Sequence, residues 1–179
     1  MEEGYEKNIA PFTSDRETYE ITPVNVSVSI QLEKIIEIAE SEHTIEIKFV
    51  IIVKWMENRV QYYNLKKEKA LNTMSNIEKS RLWIPYIIFQ NTDENEAVDI
   101  EWITASGNQV ATKMFVTRQG SFVRAGEEHI DETEIFQGFE NTLTLIQSHT
   151  KVFHCTYQLH YFPFDTQVWR SIKLQCFKV

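Results

Sequence analysis

Cys155-Thr156-Tyr157-Gln158-Leu159-His160-Tyr161-Phe162-Pro163-Phe164-Asp165-Thr166-Gln167-Val168-Trp169 is the stretch on which the fold turns. Taken bare, it is the end of one strand, a turn forced by Pro163 and the start of a second strand at Gln167. Phe153, Cys155, Tyr157 and Leu159 alternate at period two on the first arm. Val168, Ile172, Leu174 and Cys176 share one face of the second, with Arg170, Lys173 and Gln175 among the polar positions. This predicts a half-buried hairpin with a long connection. Phe162, Pro163 and Phe164 predict a loop that packs apolar rings rather than a solvated tip.

Outward from it, the chain reads as short strands separated by turns. Val24, Val26, Val28, Ile30 and Leu32 alternate with Asn25, Ser27, Ser29, Gln31 and Glu33, which predicts a long strand with one buried face. Glu40 to His43 makes a turn. The next strand carries Ile45, Ile47, Phe49, Ile51, Val53 and Trp55 on one face. Val50 and Ile52 on the other predict a middle covered on both sides, and the two strands are expected to pair antiparallel. Asn25-Val26-Ser27 has the form of a glycosylation sequon, but reads as lying inside a strand. Ser75-Asn76-Ile77-Glu78 has capping-box spacing for a short helical turn. Leu82 to Asn91 is an apolar strand shaped by Trp83 and Pro85, which join Trp55 as structural core. Val98 to Thr104 and Gln109 to Thr117 read as strands about the turn at Ser106-Gly107-Asn108. Ser121 to Arg124 is expected to pair back beyond Gly120. Residues 1–20 read as an irregular N-terminal arm and 21–179 as one domain, an all-β antiparallel sandwich.

The stretch from Cys155 resembles the signature loop of the Cys-loop family, the pentameric ligand-gated ion channels. Cys155, Phe162, Pro163, Phe164, Asp165 and Gln167 match its pattern in register, and Trp83-Ile84-Pro85 followed by an apolar strand ending in Asn91 matches a second motif. The residues from Ile135 to His154 resemble the approach to that loop in invertebrate members. The cysteine that closes the loop in the family is Trp169 here, so the name-giving disulfide cannot form. The remaining cysteine, Cys176, lies about seven residues beyond Trp169 on the expected hairpin, over ~20 Å of strand from Cys155. Two free thiols are therefore expected, which suits a reducing compartment.

Composition narrows the function. With 26 acidic and 18 basic residues the formal charge is −8, and no basic stripe is available to neutralise phosphates, so nucleic acid is not an expected partner. The run Phe49 to Val53 is bracketed by Lys48 and Lys54, far short of the roughly twenty apolar residues a membrane span needs. The acidic start at Glu2, Glu3 and Glu6 does not read as a secretory leader. The family is extracellular and at the plasma membrane; the absent leader and the free thiols also fit the cytoplasm. No Gly-rich phosphate loop, paired-cysteine motif, zinc-protease motif or nucleophile elbow occurs, so neither an enzyme nor a cofactor is expected. Glu127, Glu128, His129, Asp131, Glu132 and Glu134 match no calcium loop and read as a solvated face, not a metal site. His149, His154 and His160 fall at spacings that do not converge on one strand face.

The resemblance implies a ligand-binding β-sandwich that assembles as a ring, a pentamer or stacked pentamers, with agonist held between neighbours in an aromatic cage. It also implies that the loop at Phe162 to Asp165 meets a membrane domain. At the cage the sequence departs from acetylcholine receptors: one aromatic position is Gln90, beside Phe89, and the facing-subunit aromatic falls at Val50. Val50, Phe89 and Gln90 are thus a degenerate candidate site. The family's further strands and membrane helices would lie beyond Val179, so an acetylcholine-type site is expected to be incomplete and an open sheet edge to be covered by another chain. Two readings follow. One is a ligand-binding homologue without the pore, its small-molecule ligand unidentified. The other is a structural or regulatory subunit that assembles with itself or with full-length receptor subunits and binds no small agonist.

Overall fold

The computed structural model describes residues 5–14, 21–90, 92, 112–125, 133–154 and 173–177. Its axis is the strand whose six alternate positions from Ile45 to Trp55 are all apolar. Ile45, Ile47, Phe49, Ile51, Val53 and Trp55 are all buried along Thr44–Met56, because side chains two apart share a face. In chain order the strands are β1 (Phe12–Ser14), β2 (Ile21–Pro23), β3 (Ser27–Ala39), β4 (Thr44–Met56), β5 (Gln61–Tyr63), β6 (Tyr86–Gln90), β7 (Thr112–Thr117), β8 (Phe122–Ala125), β9 (Thr133–Gln137), β10 (Thr142–His154) and β11 (Lys173–Phe177). A 3-10 turn (Lys69–Asn72) and the helix α1 (Asn76–Arg81) precede β6.

β4 sits between β3 and β10, and β10 carries β7 on its far side, giving the antiparallel order β3-β4-β10-β7. Leu145 faces Val53 across one pair of strands and Met114 across the other. All three are at most 1 % exposed, so one face of this sheet is the core. β6 lies over that face, paired with β11. Phe89 of β6 meets Phe49 of β4 edge-on at 5.6 Å and Phe153 of β10 at 6.3 Å. These contacts join the two layers of an all-β antiparallel sandwich. Each buried ring contributes about 2–3 kcal/mol of transfer free energy, and each edge-on pair adds about 0.5–1.5 kcal/mol. A third sheet, β5-β9-β8, extends the structure beyond Met56.

Local signals account for the connections. The Glu40–His43 turn closes with His43 donating to the Glu40 carbonyl, His43 taking a left-handed φ of 55°. Ser75 and Glu78 form the expected capping box, which satisfies the first backbone donors of α1. The Ser75 hydroxyl and amide, donating to the Glu78 carboxylate, hold that group below the usual carboxylate range.

Five expectations are corrected. Leu32, expected inside, is 58 % exposed. Leu32 stands opposite buried Phe49 and so on the same face of the sheet, but β3 is the edge strand of the order and its side chain stays open there; the pairing with β4 slips only beyond it, between Leu32 and Lys34 and again between Ile35 and Glu37. The outer face of β4 is half-buried at Val50 and Ile52 rather than covered. The expected hairpin does not continue into β11: Lys173–Phe177 pairs with β6, while β10 is flanked by β4 and β7. β8 pairs with β9 and not back onto β7. The strand expected from Val24 begins at Ser27, leaving residues 24–26 outside it. Within the arm, Phe12–Ser14 pairs with β2. The strand expected over 98–104 and the signature-loop positions Cys155, Phe162, Pro163, Phe164, Asp165, Gln167 and Trp169 lie outside the described residues, as does most of the acidic run.

Candidate functional site

Val50 and Phe89 do not converge within one chain. Val50 follows Phe49 in β4 and so points to the opposite, outer face of the sheet. It sits half-buried between Gln31 of β3 and Ser148 of β10. Phe89 is 2 % exposed and closed inside the sandwich. Gln90 ends β6, its backbone opposite Lys173. Trp55 and Trp83 meet edge-on at 6.3 Å, both buried, and Pro85 is buried beside them. Trp83-Ile84-Pro85 thus anchors the start of β6 to the end of β4.

The aromatic cluster around Phe89 includes a residue that sequence reading weighed only as a metal ligand. His149 of β10 is 4 % exposed. It stacks on Phe49 at 5.7 Å and stands edge-on to Phe89 at 5.3 Å. Its Nε2 lies 3.3 Å from Gln147 Oε1. Burial, with the Lys151 charge adding to it, pulls the imidazole down to about 4, so the ring is neutral at physiological pH. Leu143, Leu145, Gln147 and His149 occupy successive inward positions of β10. That alternation was the signal that could have marked His149 as a core residue.

A second polar centre had no sequence signal. Glu57 follows the end of β4 and is 0 % exposed. Arg59 grips it with two parallel bonds, Nε to Oε1 at 2.8 Å and Nη2 to Oε2 at 2.9 Å, a fork geometry that suits a carboxylate. The Tyr5 hydroxyl donates to Glu57 Oε2 at 3.2 Å and accepts from the Trp83 amide at 2.7 Å. The Arg59 guanidinium stacks over the Tyr5 ring at 4.7 Å. Burial is the main cause pushing the Tyr5 hydroxyl up to about 12. The side-chain bond to Glu57 raises Arg59 further. The centre ties the arm, the end of β4 and the tryptophan motif into one unit.

Beside it, the turn between β9 and β10 docks on the same segment. The Gly138 amide donates to the Val60 carbonyl at 2.9 Å. Asn141, wholly buried, accepts from the Gln119 amide at 2.9 Å and donates to the Gln137 carbonyl at 2.7 Å.

Among the described residues no group of three or more His, Cys, Asp or Glu is placed to hold a metal ion, and no helix is long and apolar enough to cross a membrane. What the geometry offers is a stiff sandwich with closed aromatic and ionic centres. A search among curated proteins finds no match. The family described as the neurotransmitter-gated ion-channel ligand binding domain matches residues 1–123, a span that includes the Trp83-Ile84-Pro85 motif and ends before the signature stretch. It is a family of channel domains and not of enzymes, and this chain belongs to it.

Proposed function

We propose that the chain works as a ring-forming ligand-binding module, a pentamer or stacked pentamers in which ligand is held between neighbouring copies. The observation that carries assembly is apolar surface on the outer strand of the main sheet. Leu32, Ile35, Ile36 and Ile38 of β3 are 58, 48, 42 and 46 % exposed. Monomeric surfaces seldom leave such aliphatics together in water. Family membership supports the ring geometry.

A specific observation favours a second reading, in which the ring forms without a small agonist. Phe89 is spent on the core, and Val50 supplies an aliphatic side chain that cannot offer a cation–π face. On this reading the module assembles with itself or with full-length receptor subunits. Native mass spectrometry followed by calorimetric titration with ammonium and amino-acid ligands distinguishes them. A five- or ten-chain mass with saturable heat supports the first reading, and the same mass without heat supports the second. A single-chain mass at all concentrations refutes ring formation by this chain.

A further inference from the structure

We propose that Asn25 is an acceptor for an N-linked glycan when the chain passes through the secretory pathway. Asn25-Val26-Ser27 is the sole Asn-x-Ser/Thr triplet among the ten asparagines of the sequence, and its central residue is not proline. A sequon becomes a substrate only where the asparagine is accessible and the backbone is free to turn, because the hydroxyl two residues on must approach the amide. Asn25 is accessible, and no strand ladder holds Asn25 or Val26, whose backbone is fixed only at its flanks, by the Val24 amide on the Pro11 carbonyl and by Ser27 opposite Lys54. β3 begins at Ser27, opposite Lys54, so residues 24–26 lie outside the strands.

Asn25 and Ser27 are exposed, whereas Val24 and Val26 are half-buried against the core. Two valines therefore anchor the segment and turn Asn25 and Ser27 together toward solvent, as an extended i, i+2 pair must face. The same outward row continues with Ser29 and Gln31, both exposed.

The transfer is a displacement. Asn25 Nδ2 forms a bond to the anomeric carbon of an N-acetylglucosamine unit as the bond from that carbon to a lipid-linked diphosphate breaks. The diphosphate departs with the electron pair, and the amide proton passes to a base of the transferase. The inference is independent of ring assembly and of any ligand.

The test is expression of the full chain behind a secretory leader in eukaryotic cells, with recovery from both medium and microsomes. Intact mass is read before and after peptide N-glycosidase. The expected result is a glycan mass removed by the enzyme with deamidation at Asn25. The glycan should be absent from Asn25→Gln and Ser27→Ala, and occupancy should rise in Ser27→Thr. Recovery of the wild-type chain from the lumenal fractions with Asn25 unmodified would overturn the proposal, as would a glycan that persists in Asn25→Gln.

Discussion

Two residues hold ionisable chemistry in the dry interior, and each has a measurable signature. Glu57 is wholly buried and its charge is answered by Arg59. Removing the partner strands that charge, so Arg59→Ala should cost about 3–5 kcal/mol in chemical denaturation. Adding Glu57→Gln to that variant should recover part of the loss, since a neutral amide has less to lose than a carboxylate. No recovery would mean that the guanidinium contributes only packing. His149 is held neutral, with a folded-state pKa of about 4 against the ordinary 6.5. Between these values the unfolded chain binds a proton that the folded chain refuses. The contribution is complete above pH 6.5 and is lost as pH falls toward 4, on the order of 3 kcal/mol in all. Stability measured across that window should slope in the wild type and flatten in His149→Gln. Equal slopes would assign the effect to other groups.

At the scale of elements, legibility followed burial on one side. β4 was readable residue by residue because its inward positions alternate without interruption and all six are buried. The capping box of α1 was readable because it is local in sequence. β3 misled at Leu32 because alternation gives the face of a side chain and not how far the opposite layer reaches: Leu32 shares a face with buried Phe49 yet stays open on the edge strand. The hairpin expected from the signature stretch misled about β11, since periodicity identifies a strand's face and not its neighbour. At the site, Val50, Phe89 and Gln90 could be located by register with Trp55 and Trp83, but that Phe89 closes into a core with His149 depended on contacts between distant strands. The Glu57 centre was silent because its members, Tyr5, Glu57, Arg59 and Trp83, are brought together by tertiary structure alone. Gly138 is the hinge of another such contact. A Cβ there would overlap the Glu57 carbonyl oxygen and come within 2.6 Å of the Val60 carbonyl oxygen. Both are backbone atoms that cannot swing aside, so Gly138→Ala should destabilise by about 3 kcal/mol and lower the Tm. An unchanged melting transition would show that the β9–β10 turn can separate from this segment freely.

For the whole molecule, the two sides of the sheet invite different company. If the exposed aliphatics of β3 are an assembly surface, Ile36→Lys with Ile38→Lys should shift the native mass toward single chains. Folding stability should change by no more than about 0.5 kcal/mol per site, since both positions are exposed. An unaltered assembly would move the interface to another face. A glycan on Asn25 would keep the other end of β3 clear, confining contact between copies to surfaces away from it. The order of the sheet also has a consequence in time. Phe49 is paired with His149, 149 − 49 = 100 positions later, whereas β3 is already beside β4 through a tight turn. At a synthesis rate of about 5–20 residues per second, the apolar face of β4 leaves the ribosome roughly 5–20 s before the strand that completes its core. The nascent chain therefore spends that interval as an exposed two-stranded ribbon, and it is then that chaperone capture or misassociation would compete with folding.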